Sequence, residues 1–174
     1  MKFFPLLLGL FAFTTLSSHA QSQSASLQAL DESYGFHGAR FEKDTSAFKD
    51  LALAEKAGST RYYRRKGEVK KLGEGEMADV TYGFYKGKLA VIVIKTQGAK
   101  NSRAVLAALQ EQAGPGVQGS PFAQRFSWNA KLVHMSYEEN AMSNDAVILL
   151  TCKKIKEQEL KQALRSRPMT PAGS

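Results

Sequence analysis

The strongest constraint on the fold is a β-hairpin pattern near the middle of the chain. From Ala78 to Tyr85 apolar and polar residues alternate, which is typical of a strand with one buried face. Lys86-Gly87 follows as a two-residue turn, and the apolar run Leu89–Ile94 continues as the returning strand. Because that run is apolar on both faces, we expect it to lie in the centre of a sheet.

The residues after the hairpin predict a helix and then an antiparallel meander. Asn101 or Ser102 can cap the helix, and Gly114-Pro115 ends it. Three strand-like runs follow with short turns between them, and short connections favour antiparallel neighbours. These strands are predicted at Arg125–Trp128, Lys131–Tyr137 and Ala146–Cys152, and a C-terminal helix is predicted at Lys154–Arg165.

Shorter elements precede the hairpin. Ala39–Phe41 is a candidate strand, and Asp44 can cap one or two turns of helix. Thr60–Arg65 has the aromatic and charged composition of a further strand. The predicted fold class is therefore α+β, an antiparallel β-sheet of hairpin, helix and three-stranded meander. One helix packs on a face of this sheet, and a C-terminal helix follows it.

The first twenty residues have the order of an export signal. Lys2 precedes the mostly apolar stretch Phe3–Leu16, and Ser18-His19-Ala20 places small residues at the two positions that a signal peptidase reads. The apolar core is shorter than the roughly 20 residues of a membrane span. We therefore predict cleavage after Ala20 and a secreted or periplasmic protein without a transmembrane span.

Length and composition divide the rest of the chain. A length of 174 residues suits a single domain. Residues 21–33 are polar and rich in Ser and Gln, which favours a flexible leader. Residues 34–165 are predicted as the single α+β domain, and residues 166–174 as a disordered tail. The net charge of +8 marks the whole chain as basic.

Two sets of residues carry a resemblance to known proteins. Tyr82-x-Phe84-x-x-Gly87-x-Leu89, a helix that ends in Gly114-Pro115, and then Trp128 form a pattern that resembles small exported bacterial proteins. The spacing of Gly38, Thr45, Phe48 and Leu51 resembles the group of small envelope proteins that includes the BamE lipoprotein and the β-lactamase inhibitor proteins. This resemblance implies a protein that binds other proteins with a sheet surface and is not an enzyme. The chain differs from BamE in lacking a lipidation Cys, and from the inhibitors in lacking a disulfide pair.

Motifs for cofactors and metals are weak. Gly73–Ala78 fits G-x-G-x-x-[GA], but a strand follows it, and its two Glu residues would repel a pyrophosphate. A single Cys excludes an internal disulfide. Three His are too few for a metal site rich in His ligands. That Cys, Cys152, lies in an apolar run and is predicted to be buried as a small hydrophobic residue. We predict no cofactor and no metal.

An enzyme is an alternative, with His134 as its base. His134 lies on the polar side of its predicted strand, on the same side as Ser136. Nucleophilic catalysis would need an activated hydroxyl and an orienting acid within reach of the imidazole. A pocket that holds His134 beside such a partner would favour catalysis, whereas a position on an open sheet would not.

The densest charge lies in a basic, aromatic segment. It carries six cations against one acid, Glu68, and cations fall on both faces of the predicted strand, as expected for an edge strand or a projecting hairpin. Tyrosines between arginines also suit stacking on sugars while the cations neutralise anions. The candidate binding residues are Arg61, Tyr62, Tyr63, Arg64, Arg65, Lys66, Lys70 and Lys71.

For an exported protein, the polyanions within reach are lipid headgroups, lipopolysaccharide and acidic polysaccharide rather than nucleic acid. The sequence therefore favours an exported, non-catalytic binding protein. It would present a sheet surface or the segment Arg61–Lys71 to an envelope protein or an anionic surface. A structural component of the envelope is a further alternative.

Overall fold

The computed structural model describes residues 18–166, with side chains from residue 25 onward. This part of the chain contains three α-helices, eleven β-strands and a 3-10 turn at Thr45–Ala47. The elements are α1 (Ser18–Ser33), β1 (Gly35–Phe36), β2 (Ala39–Arg40), β3 (Leu51–Ala57), β4 (Thr60–Arg65), β5 (Lys71–Leu72), β6 (Gly75–Tyr85), β7 (Lys88–Thr96), α2 (Gly98–Ala113), β8 (Val117–Gln118), β9 (Arg125–Asn129), β10 (Val133–Glu139), β11 (Ala146–Cys152) and α3 (Lys153–Arg165).

Nine of the strands form one antiparallel sheet. Its order is β3-β4-β6-β7-β11-β10-β9-β8, and β5 pairs with the start of β6. β1 and β2 form a separate small hairpin. This architecture confirms the predicted α+β class, including the meander β9-β10-β11 and the C-terminal helix.

The predicted central hairpin is β6–β7. Val80 pairs with Ile94 and Tyr82 with Ile92, and all four side chains lie on the same, buried face of the hairpin. Lys86 has φ +49° and Gly87 has φ +84°, the left-handed pair that a tight hairpin turn requires. β7 lies between β6 and β11, which confirms its predicted central position.

The hydrophobic core lies between one face of the sheet and α2. Val105 and Leu109 of α2 are buried there. At Gly75 an added Cβ would lie 2.8 Å from the backbone nitrogen of Val105 and 2.9 Å from the carbonyl oxygen of Asn101. The absence of a side chain therefore lets the helix backbone approach β6 closely. The largest fully buried side chains are Trp128, Tyr82, Tyr137, Phe84, Met77 and Leu89.

The opposite face of the sheet is only partly covered. Val147 and Leu149 of β11 are 40% and 38% exposed there. α3 packs beside β11 and borders a groove on this face through Lys156 and Glu159. No helix among residues 18–166 is both long and apolar enough to cross a membrane.

The predicted flexible leader at residues 21–33 is wrong, because these residues belong to α1. Leu30 is buried against the core. The Asp31 carboxylate accepts hydrogen bonds from the backbone N–H groups of three consecutive residues, at 2.8, 2.8 and 3.0 Å. These contacts hold the C-terminal part of α1 against the domain. The three donors are Lys131, Leu132 and Val133.

Two predictions lie largely beyond the described residues. The apolar core of the export signal, Phe3–Leu16, precedes residue 18, and the tail prediction falls mostly on residues 167–174. Ala20, the predicted cleavage point, lies in the first turn of α1. Export therefore stays a prediction from the sequence.

Candidate anion-binding site

The eight predicted binding residues do not form a single surface. Most lie on β4, which pairs with β3 on one side and β6 on the other. The prediction of an edge strand is therefore wrong for β4, and β3 is the strand at the edge. Its partner β4 completes a hairpin through Gly58 and Ser59, so the alternative of a hairpin matches the structure better.

Alternation along β4 divides its side chains between the two sheet faces. Arg61 pairs with Phe84 and Tyr63 pairs with Tyr82, so both lie on the face that carries the core. On the same face, the Arg65 guanidinium lies 5.7 Å from the centre of the Tyr82 ring. Tyr62 lies on the opposite face.

Two of the predicted cations have their partners within the protein. Arg64 donates two hydrogen bonds to the Asp79 carboxylate, each 2.7 Å long. Lys70 Nζ donates to the carbonyl oxygen of Ala78 at 3.0 Å. These side chains serve the local structure and are not free to receive a ligand.

Arg65 and Lys66 instead join three cations from an earlier segment. Arg40 ends β2, and Lys43 and Lys49 follow it before β3. All five residues line one pocket of about 440 Å³. We call this site the basic pocket. Its remaining lining residues are Gly38, Ala47, Phe48, Asp50 and Gly67.

Backbone pairing holds the earlier segment in place. Glu42 N donates to the Leu89 carbonyl at 3.0 Å, and Leu89 N donates to the Lys43 carbonyl at 2.9 Å. Lys66 N donates to the Asp50 carbonyl at 3.0 Å, which ties the two walls of the pocket together. Glu42 and Asp50 both have positive φ, +64° and +57°. Such conformations cost energy in a residue with a side chain and concentrate at functional sites.

The Phe48 ring anchors the same segment on the sheet. Its centre lies 5.2 Å from that of Phe84 in an edge-to-face arrangement and 6.4 Å from that of Tyr82. Aromatic pairs of this geometry add to the stabilisation that burial provides. Phe48 therefore gives the basic pocket a fixed apolar wall.

The charge of the basic pocket is not balanced within the protein. In the described part of the chain, four of its cationic side chains form no ion pair and no hydrogen bond. Arg65 is the exception, because its Nε lies 3.3 Å from Glu68 Oε2. The lining therefore carries five cations against one carboxylate, Asp50, and this excess of positive charge attracts anions to the site. The four unpaired cations are Arg40, Lys43, Lys49 and Lys66.

Glu68 is the buried carboxylate behind this pocket. Its side chain is 4% exposed, and Oε2 accepts a hydrogen bond of 2.7 Å from the Tyr82 hydroxyl. Oε1 lies 3.5 Å from His37 Nδ1, and neither of these two buried atoms forms a hydrogen bond. Burial, together with the bond to Glu68, raises the pKa of Tyr82, so its hydroxyl stays protonated as a donor.

Comparison with known proteins adds little to this geometry. No protein-family model and no curated protein matches the chain. Among solved structures, the chain is similar to the DUF4309 family protein YjgB from Bacillus subtilis. The sequence identity is 16% and the TM-score 0.39, over 76% of this chain and 99% of that one. Similarity at this level carries no functional argument, and the resemblance to the BamE and inhibitor group stays a prediction.

His134 has no catalytic partner in the described part of the chain. It lies on β10 opposite Thr151 and Asn129, on the face away from α2, and its side chain forms no hydrogen bond or ion pair. Burial and the charge of Lys153 lower its pKa, which favours the neutral imidazole. Ser136 is not paired with it, so the geometry gives the enzyme alternative no support at this residue.

Cys152 is fully buried, as predicted, with its Sγ 3.2 Å from the Tyr34 hydroxyl. Among residues 18–166, no group of three or more His, Cys, Asp or Glu side chains could hold a metal ion. The described chain therefore offers the basic pocket as its most developed candidate site.

The Arg64–Asp79 pair leads to a prediction about acid stability. The hydrogen bonds from Arg64 hold the pKa of Asp79 below its ordinary value of 3.8. The pair therefore stabilises the fold above that value, and this stabilisation is lost as the pH falls through the lower pKa of the folded state. We expect Asp79→Asn to be less stable than the wild type at pH 7, with the difference shrinking towards pH 3.

Urea unfolding at both pH values measures this difference. Glu111→Gln is a suitable control, since Glu111 is exposed on α2 and should leave stability nearly unchanged at either pH. A destabilisation by Asp79→Asn that is equal at the two pH values would contradict the role of the ion pair.

Proposed function

We propose that this chain is an exported, non-catalytic binding protein that captures an anionic ligand in the basic pocket. The observation that carries the proposal is the convergence of five cations from two chain segments, four of them without a partner among the described residues. The export pattern from Lys2 to Ala20 supports a location where phosphate, sulfate and carboxylate groups of envelope components are abundant.

The chemistry of the pocket favours binding over catalysis. Asp50 is the only carboxylate among its lining residues, and that lining contains no His, Cys or Ser. His is the side chain that most often acts in general acid–base catalysis, and Cys and Ser are common nucleophiles. Fixed cations beside the Phe48 ring can instead neutralise an anionic ligand and contact its apolar part.

The proposal is tested by removing the unpaired cations. In the triple variant Arg40→Gln, Lys43→Gln and Lys49→Gln, we expect affinity for immobilised heparin to fall about tenfold. The reason is that an exposed ion pair contributes roughly 0.5 kcal/mol, and three such pairs give about 1.5 kcal/mol. Elution salt on a heparin column and titration at a fixed low salt concentration measure this loss.

A matched control separates the pocket from net charge. Lys56→Gln, Lys100→Gln and Lys131→Gln remove the same charge from exposed positions outside the pocket, and this variant should keep most of its affinity. Equal loss in the two triple variants would mean that only net charge matters. That result, or unchanged retention of the pocket variant, would contradict the proposal. Flotation with phosphatidylglycerol vesicles is measured in parallel with heparin binding. Binding to the vesicles would indicate a lipid as the source of the anion, and binding to heparin alone would indicate a polysaccharide.

A further inference from the structure

A second cation-lined pocket lies beside the basic pocket. Its volume is about 310 Å³, and Arg61, Tyr63 and Lys86 line it. Within the described residues Arg61 forms no ion pair, and the Lys86 ammonium lies 5.5 Å from the centre of the Tyr85 ring without a carboxylate partner. This site, which we call the distal pocket, therefore repeats the chemistry of the basic pocket with two further unpaired cations.

The 3-10 turn Thr45–Ala47 separates the two pockets. Thr45 lines the distal pocket and Ala47 lines the basic pocket, so the two sites lie on opposite sides of one short turn. The backbone nitrogen of Thr45 donates to the Gly87 carbonyl at 3.1 Å, which fixes the turn against the β6–β7 hairpin. A ligand that crosses this turn would reach both pockets.

β4 supplies a row of side chains that connects the pockets. Arg61, Tyr63 and Arg65 are alternate residues and share one face of the sheet. Arg61 and Tyr63 line the distal pocket, and Arg65 lines the basic pocket. At roughly 3.3 Å per residue, the row extends over about 13 Å between its two arginines.

Aromatic rings follow the same path. Phe48 lines the basic pocket, and its ring contacts Phe84 at 5.2 Å between ring centres. Phe84 in turn contacts Tyr63 at 5.6 Å, and both of these residues line the distal pocket. Phe84 is buried and supports the other two rings, whereas Phe48 and Tyr63 are partly exposed. Partly exposed rings beside cations suit a chain of sugar rings that carry acidic groups, because the sugars contact the rings while the cations neutralise the acids.

We propose that the ligand is a linear acidic polysaccharide that occupies both pockets across the turn Thr45–Ala47. This inference rests on the proposed anion binding and specifies its ligand class. A single small anion would fill only one pocket. A polymer that occupies both gains affinity because binding at one pocket raises its effective concentration at the other.

The test uses heparin fragments of increasing length, from disaccharide to octasaccharide, with the full mature chain. We expect affinity of the wild type to rise about a hundredfold over this series, since the longer fragments reach both pockets. In the double variant Arg61→Gln and Lys86→Asn, disaccharide affinity should stay within about threefold of the wild type while the rise with length is largely lost. Lys86→Asn suits the positive φ of this turn position, because Asn-Gly is a favoured hairpin turn.

Each outcome of this series is decisive. Lys100→Gln with Lys131→Gln is the matched control and should keep the length dependence, because both lysines are exposed and lie outside both pockets.

If the variant Arg61→Gln and Lys86→Asn keeps the wild-type dependence on length, the two-pocket proposal is overturned and the basic pocket remains as a site. Disaccharide affinity that the triple change at Arg40, Lys43 and Lys49 leaves unchanged would overturn the proposed function itself. Binding to phosphatidylglycerol vesicles that matches binding to the octasaccharide, and falls equally in both pocket variants, would assign the surface to a membrane and overturn the polysaccharide.

Discussion

Replacing Trp128 by Ala is expected to lower the free energy of unfolding by about 3–5 kcal/mol, since truncation of a large aromatic residue in a packed core leaves a cavity. The side chain is 1% exposed, and its Nε1–H donates a 2.8 Å hydrogen bond to the Gly114 carbonyl. Gly116 lies so close to the same ring that a Cβ atom added at this position would be 2.7 Å from it. The substitution therefore removes both the packing and the donor that closes the loop after α2.

The measurement for Trp128 is urea unfolding followed by far-UV circular dichroism, because the chain has no other Trp to report by fluorescence. Trp128→Phe keeps most of the ring volume but leaves the Gly114 carbonyl without its donor, so we expect an intermediate loss of about 1–3 kcal/mol. Phe122→Ala is the control, since Phe122 is 97% exposed and its removal should change stability little. A Trp128→Ala variant as stable as that control would contradict the packing argument.

Predictions from the sequence succeeded where the conformation is set by neighbouring residues. The turn at Lys86-Gly87 needs two left-handed residues in succession, and Gly at the second position is a local signal for it. The end of α2 at Gly114-Pro115 is equally local, because Pro cannot continue a helix. The strand Ala146–Cys152 has the predicted bounds, with its buried residues alternating along the run.

Elements that depend on distant contacts were missed. α1 has a polar composition, but Asp31 binds backbone groups about 100 residues further along the chain, which no local pattern reports. β3 was not predicted either, because almost all of Leu51–Ala57 is exposed and carries no alternation of buried and exposed residues. Its strand conformation follows from pairing with β4 alone.

The residues of the candidate site were likewise predicted where they are neighbours in the sequence and missed where only the fold brings them together. Charge density identified Arg65 and Lys66 from the sequence, because they lie within one basic segment. Arg40, Lys43 and Lys49 are spread over ten residues of a less basic segment. Long-range backbone pairing with Leu89 and between Asp50 and Lys66 brings them to the same pocket. No sequence signal marked them, because the stretch 40–50 holds as many acids as cations, three of each.

Replacing Glu68 by Gln is expected to change stability and ligand binding in opposite directions. Glu68 is the buried partner of Arg65 and the acceptor for Tyr82, and breaking a buried ion pair by removing one charge costs about 3–5 kcal/mol. We expect a loss near 3 kcal/mol, because Arg65 is 27% exposed and water replaces part of the lost interaction. Gln keeps an oxygen for the Tyr82 hydroxyl, so the change tests charge rather than shape.

The same substitution should strengthen heparin binding. Arg65 lines the basic pocket, and Glu68 is the carboxylate that neutralises it. Without that charge, the Arg65 guanidinium can form its ion pair with the ligand instead. Urea unfolding and elution salt on a heparin column measure the two effects, and Glu111→Gln controls for the change in net charge. Retention no higher than in this control would show that Arg65 does not contact the ligand. Unchanged stability would show that the Glu68 carboxylate does not stabilise the fold through Arg65 and Tyr82, because removing one charge of a buried ion pair leaves the other uncompensated.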